Sequence, residues 1–170
     1  MKSTLVCLIL AFYALHFVPL DGQPRPASQA CDAQAVPLNL APLGNKARND
    51  IVAAITRTLR DSAPDRGAAR AMALESWASY PKLSAAERTI VITAGPDNPN
   101  NGVSNRQIWV FRLIGRHAEL LLEEWALMCD FNPASYHNGL ADLRLRYKVS
   151  GGRDSVTTFQ FDGKHYHAIR

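Results

Sequence analysis

Asp142–Val149 reads DLRLRYKV, an unbroken alternation that sets Leu143, Leu145, Tyr147 and Val149 on one side and Arg144, Arg146 and Lys148 on the other. Successive side chains of a strand point to opposite faces, so a period of two makes a strand with one buried and one solvent face. Ser150-Gly151-Gly152-Arg153-Asp154 turns the chain, and Ser155–Phe161 (SVTTFQF) returns it. Asp162-Gly163 is a favoured type I′ hairpin dipeptide, and Lys164–Ile169 follows it as a further strand. An antiparallel meander therefore ends the sequence.

Upstream, Thr89–Ala94 (TIVITA) and Gln107–Ile114 (QIWVFRLI) also read as strands, separated by the long polar loop Gly95–Asn105. Gly115-Arg116-His117 is a tight turn. Ala118–Met128 (AELLLEEWALM) suits strand or helix by composition, and the short turn after a strong strand makes its first half a strand. Earlier still the period is helical. Ile51, Val52, Ile55 and Leu59 fall on one face of a helix from Lys46 to Asp61, with Asn45 as its cap. Ser62-Ala63-Pro64 ends that helix. Asp65 caps a second one running to Tyr80, with Ala69, Met72, Ala73, Trp77 and Tyr80 on its apolar side. Pro24, Pro26, Pro37 and Pro42 make residues 23–44 an extended arm. The expectation is one α+β domain over residues 45–170: two N-terminal helices packed on one face of a twisted antiparallel sheet of about five to six strands.

The N-terminus indicates a compartment. Lys2 precedes the short apolar run LVCLILAFYALHFV (Leu5–Val18), which Pro19 and Gly22 interrupt. This is the anatomy of an export signal over residues 1–22, with cleavage after residue 22 or after residue 30. The run is too short to favour a stable membrane span, and no transmembrane segment follows it. About 140–150 residues remain, enough for a core of their own. Cys7 leaves with the signal, so Cys31 and Cys129 form an even pair in a secreted or periplasmic, oxidising setting. Bonded, they would close a loop of nearly a hundred residues, worth about 4–5 kcal/mol in the chain-entropy model. The net charge of +4 suits an anionic envelope component or an acidic protein, and no nucleic-acid motif is present.

The ending GLADLRLRYKVSGGRDSVTTFQFDGKHY resembles small exported bacterial proteins of unknown function. Gly139, Asp142, Leu143, Phe159, Phe161, Asp162, Gly163 and Tyr166 carry the likeness. The resemblance implies a bacterial secreted domain and implies no activity.

No motif in the chain names a reaction, and no cofactor is expected. Arg144, Arg146 and Lys148, with Arg153 and Lys164 on adjoining segments, form the strongest candidate binding surface. The same charges also serve a solvated sheet face that resists edge-to-edge aggregation. His165 and His167 lie two apart on a strand and could share a metal ion, given a third ligand from His117, His137 or Asp142. Asp130, Asp142 and the Glu123-Glu124 pair are the carboxylates available for hydrolytic acid–base work. Ser104, Ser135 and Ser150 lie in turns outside any nucleophile motif. Trp77, Trp109 and Trp125 sit in apolar runs and read as core. The leading expectation is a monomeric, non-catalytic binding or inhibitor-like domain recognising an envelope component or a protein partner. The alternative is a hydrolase acting on a cell-wall or other extracellular polymer.

Overall fold

The computed structural model describes residues 27–95, 105–149, 151 and 153–169. The expected export signal at residues 1–22, and all but the ends of the Gly95–Asn105 loop, lie outside the described residues. The two-residue strands β1 (Gln29–Ala30) and β2 (Val36–Pro37) precede helix α1 (Asn45–Thr58), its 3-10 continuation Leu59–Asp61, and helix α2 (Arg66–Glu75). Strands β3 (Trp77–Ser79), β4 (Arg88–Thr93), β5 (Arg106–Ile114) and β6 (His117–Ala126) come next. They are followed by β7 (Met128–His137), β8 (Leu140–Lys148), β9 (Asp154–Phe161) and β10 (Tyr166–Ile169).

These strands form two antiparallel sheets of five, ordered β1-β7-β8-β9-β10 and β2-β3-β4-β5-β6. We call the first the outer sheet and the second the inner sheet. The described fold is thus mostly β, and the expected α+β domain built on one sheet of about five to six strands is incorrect. The inner sheet is covered on both sides. Ile90, Ile92, Trp109 and Phe111 point to one side, into a core shared with Ile51, Val52 and Ile55 of α1 and Ala69 and Ala73 of α2. Val91, Ile108 and Val110 point to the other, into a core shared with Leu143, Leu145, Phe159 and Phe161 of the outer sheet. The register confirms the alternation, with Ile90 opposite Phe111, Val91 opposite Val110 and Ile92 opposite Trp109. Burial on both faces is why TIVITA and QIWVFRLI read as nearly continuous apolar runs.

The missing strand explains the error. Met128–His137 (MCDFNPASYH) continues β6 after the single residue Leu127, but its pattern is broken by an irregularity between Asn132 and Tyr136. Pro133 lies in that break, where no ladder hydrogen bond is required of it. Ala118–Ala126 is strand, within β6, and Met128 opens β7. The second helix stops at Glu75 instead of Tyr80, because Ser76 turns to an extended backbone and Trp77–Ser79 joins the sheet edge beside β4. Gly95 presses on that helix end so closely that a Cβ there would lie 2.4 Å from the Glu75 carbonyl oxygen. Gly44, not Asn45, holds the cap position of α1, whereas the Asp65 carboxylate does cap α2 by accepting from the Ala68 amide at 2.9 Å. At the last hairpin the central pair is Gly163-Lys164, with φ of 105° at Gly163, and Asp162 bonds across it to His165.

The arm is stitched to both sheets. Gln29 and Ala30 pair with Phe131 and Asp130, and Val36 and Pro37 pair with Ala78 and Trp77. Between them Cys31 is bonded to Cys129 with Cα atoms 5.3 Å apart, both sulfurs lying in the core between the sheets. The Ser79 hydroxyl donates to the Cys31 carbonyl, tying β3 to the same point. A disulfide is the product expected of an oxidising compartment. Among the described residues no helix is long and apolar enough to cross a membrane. Replacing Cys31 and Cys129 together by serine should lower unfolding stability by about 2–5 kcal/mol in urea titration. An unchanged midpoint and slope would show that the link contributes nothing.

Candidate functional site

With both faces of the inner sheet and one face of the outer sheet occupied, the far face of the outer sheet is left to solvent among the described residues. Alternation along β8 brings Arg144, Arg146 and Lys148 to it, opposite the buried Leu143 and Leu145. The register places Arg146 between Met128 and Val156, which remain 40% and 48% exposed. Arg144 lies between Asp130 and Thr158, with Ile169 beyond on β10, and Lys148 lies opposite Asp154. Despite these acidic neighbours, none of the three cations comes within ion-pair distance of a carboxylate among the described residues. Arg153 immediately precedes β9, and its carbonyl accepts from the Val149 amide at 3.1 Å, so it adjoins the Lys148 end of the stripe. Lys164 does not join them. It lies in the turn past the other end of β9, roughly 23 Å from the Lys148 end of the stripe at about 3.3 Å per strand residue.

The same face carries a polar node that the sequence reading did not assemble. Asp142 is only 5% exposed. Its Oδ2 accepts from the Ser135 hydroxyl at 2.7 Å, its Oδ1 is 2.6 Å from His137 Nδ1, and the Gln160 amide makes a longer contact at 3.5 Å. A carboxylate only accepts, so this contact fixes a proton on Nδ1 of His137. The irregular stretch of β7 and the two-residue turn after it create the arrangement. Asn138 and Gly139 both have positive φ, 48° and 88°, as a type I′ turn requires, and they fold His137 back against Leu140. Asn138-Gly139 was the available sequence signal for this hairpin. The serine and the histidine both address the aspartate and not each other, so the node has no nucleophile–base pair. On the opposite side of β8, the Tyr166 hydroxyl donates to the Ala141 carbonyl at 2.8 Å. Burial, with a smaller contribution from the Asp142 charge, pushes that phenol well above its ordinary range.

The remaining candidates are dispersed. His165 and His167 are both exposed at the last hairpin, with His167 Nδ1 3.9 Å from Asp162. The Asp162 carboxyl is held below its usual range by the His165 and Lys164 amides, so its first task is to fix the turn. His117 instead contacts Asp50 of α1 at 3.1 Å. Among the described residues no three His, Cys, Asp or Glu side chains gather at metal-binding distance. Glu123 accepts from Thr58 of α1 and from the buried Gln107, on the helix-facing side of the inner sheet. Glu124 faces the other way and helps to raise Tyr147, whose phenol burial pushes up to about 12. Ser104 and Ser150 lie outside the described residues. Trp109 is fully buried, but Trp77 and Trp125 are exposed, because they lie on the outlying β3 and β6 and not on the central strands of the inner sheet.

No family model matches this chain, and no curated protein or solved structure is significantly similar to it. Its chemistry is therefore read from its own residues. Asp142→Ala should cost about 2–4 kcal/mol, since it strips the Ser135 and His137 donors of their buried acceptor. Chemical denaturation measures this, and a cost below about 0.5 kcal/mol, the level of an ordinary surface substitution, would contradict it.

Proposed function

We propose that this is an exported bacterial binding domain, without catalysis, that recognises an acidic partner through the far face of its outer sheet. The partner is a protein or an envelope component presenting carboxylates or phosphates. The observation that carries the reading is the Arg144, Arg146 and Lys148 stripe on a face that no described element covers, unpaired with any described carboxylate and flanked by exposed Met128 and Val156. Arginine forks match planar anions, and the adjoining apolar groups add area that a partner can desolvate. The secreted or periplasmic location rests on the Cys31–Cys129 bond together with the apolar segment at residues 5–18. Hydrolysis finds less support, because Asp142, Glu123 and the His165/His167 pair belong to three separate surroundings.

The test is capture from an envelope extract by immobilised mature protein, read by mass spectrometry at low and high salt. Wild type should retain a saturable partner that high salt releases. Arg144→Glu with Arg146→Glu should weaken retention about tenfold or more, because two attractive contacts become repulsive. Equal retention by the double variant would exclude this face.

A further inference from the structure

A second feature lies on the other side of the molecule, where the start of α1 meets the beginning of β4 and the β5–β6 turn. A cleft of about 410 Å³ opens there, lined by Pro42, Leu43, Lys46, Arg88, Leu113 and Arg116 among others. Its volume is within the range of small-molecule sites. Its chemistry is one-sided: three of the lining residues are cations and none is an acid. Lys46 is committed to Asp50 at 3.0 Å, but neither Arg88 nor Arg116 reaches a carboxylate among the described residues. Leu43 and Leu113 are half-buried apolar walls that also pack against the helix-side core. The first turn of α1 brings no acidic residue and no side-chain cap to offset this positive field. The hairpin geometry keeps Arg116 at the rim, since Gly115 takes the positive φ of 56° in the two-residue turn.

We infer that this cleft binds a small amphipathic carboxylate. Its apolar body would lie against Leu43 and Leu113, and its carboxylate would be directed to Arg88 and Arg116. Guanidinium forks suit a carboxylate, and the leucine walls give an aliphatic or aromatic body a reason to enter that a bare inorganic anion lacks. The site is separate from the outer-sheet face and does not depend on the partner proposed above.

Octanoate is the probe, titrated into the disulfide-bonded mature protein and followed by amide chemical shifts. Saturable shifts centred on Ala47 and Leu113 are expected, with 1-octanol and inorganic phosphate each binding at least about tenfold more weakly. Arg88→Glu with Arg116→Glu should weaken octanoate by about tenfold or more while amide dispersion stays native. Leu43→Glu is a second variant that should also lose binding, should the double variant fail to fold. Arg144→Glu with Arg146→Glu should bind octanoate as wild type does. The inference is overturned by absent saturation, by unchanged affinity in the cleft variants, or by phosphate or 1-octanol matching octanoate. Loss of octanoate binding in the outer-sheet variant would equally overturn it.

Discussion

The constraint on which the rest depends is that β4 and β5 are apolar on both faces. Ile90, Ile92, Trp109 and Phe111 need one cover, and Val91, Ile108 and Val110 need another. Each such side chain contributes about 1.5–3 kcal/mol when fully buried, so neither face can be left to water. The two helices supply one cover, and at 14 and 10 residues they span little more than that face. The outer sheet supplies the other, reached when β6 runs through Leu127 into β7. A sheet recruited as a cover keeps a solvent side, and the basic stripe stands on it.

The N-terminal arm holds the layers in place. β1 joins the outer sheet and β2 the inner sheet, six residues later, with the Cys31–Cys129 bond beside the first pairing. Two-residue strands have little stability of their own. Here they are supported by a covalent link, by the Ser79 hydroxyl bond to Cys31, and by burial of Leu38 and Ala41. The node at Asp142 plays a comparable part at the far end of β7. It ties the side chains of Ser135, within the irregular stretch, and His137, just beyond it, to Asp142 of β8.

Much of this was legible where periodicity is strong. In DLRLRYKV alternation gave Leu143 and Leu145 as buried and Arg144, Arg146 and Lys148 as the charged face, although Val149 lies past β8 and is exposed. The even cysteine count gave the disulfide, and Asp65 gave a helix start. What failed was strand count and layering. MCDFNPASYH has no clean alternation, because its register breaks between Asn132 and Tyr136, and β1, β2 and β3 are too short to leave a pattern. The unalternating runs TIVITA and QIWVFRLI signalled a sheet buried on both sides, which demands a second cover, and Asn138-Gly139 marked the hairpin. For the candidate sites, the stripe followed from alternation alone. The Ser135–Asp142–His137 node and the Arg88–Arg116 cleft depend on contacts between segments distant in the chain or displaced by a bulge, which no local pattern encodes.

Native-state hydrogen exchange tests the layered account most directly. Amides of β4 and β5, shielded from both sides, should be the slowest in the protein and exchange only through global unfolding, whereas β10 at the edge of the outer sheet should exchange through local opening. Exchange of β4 and β5 as fast as that of β10 would contradict the doubly covered inner sheet, and with it the reason the basic face is left uncovered.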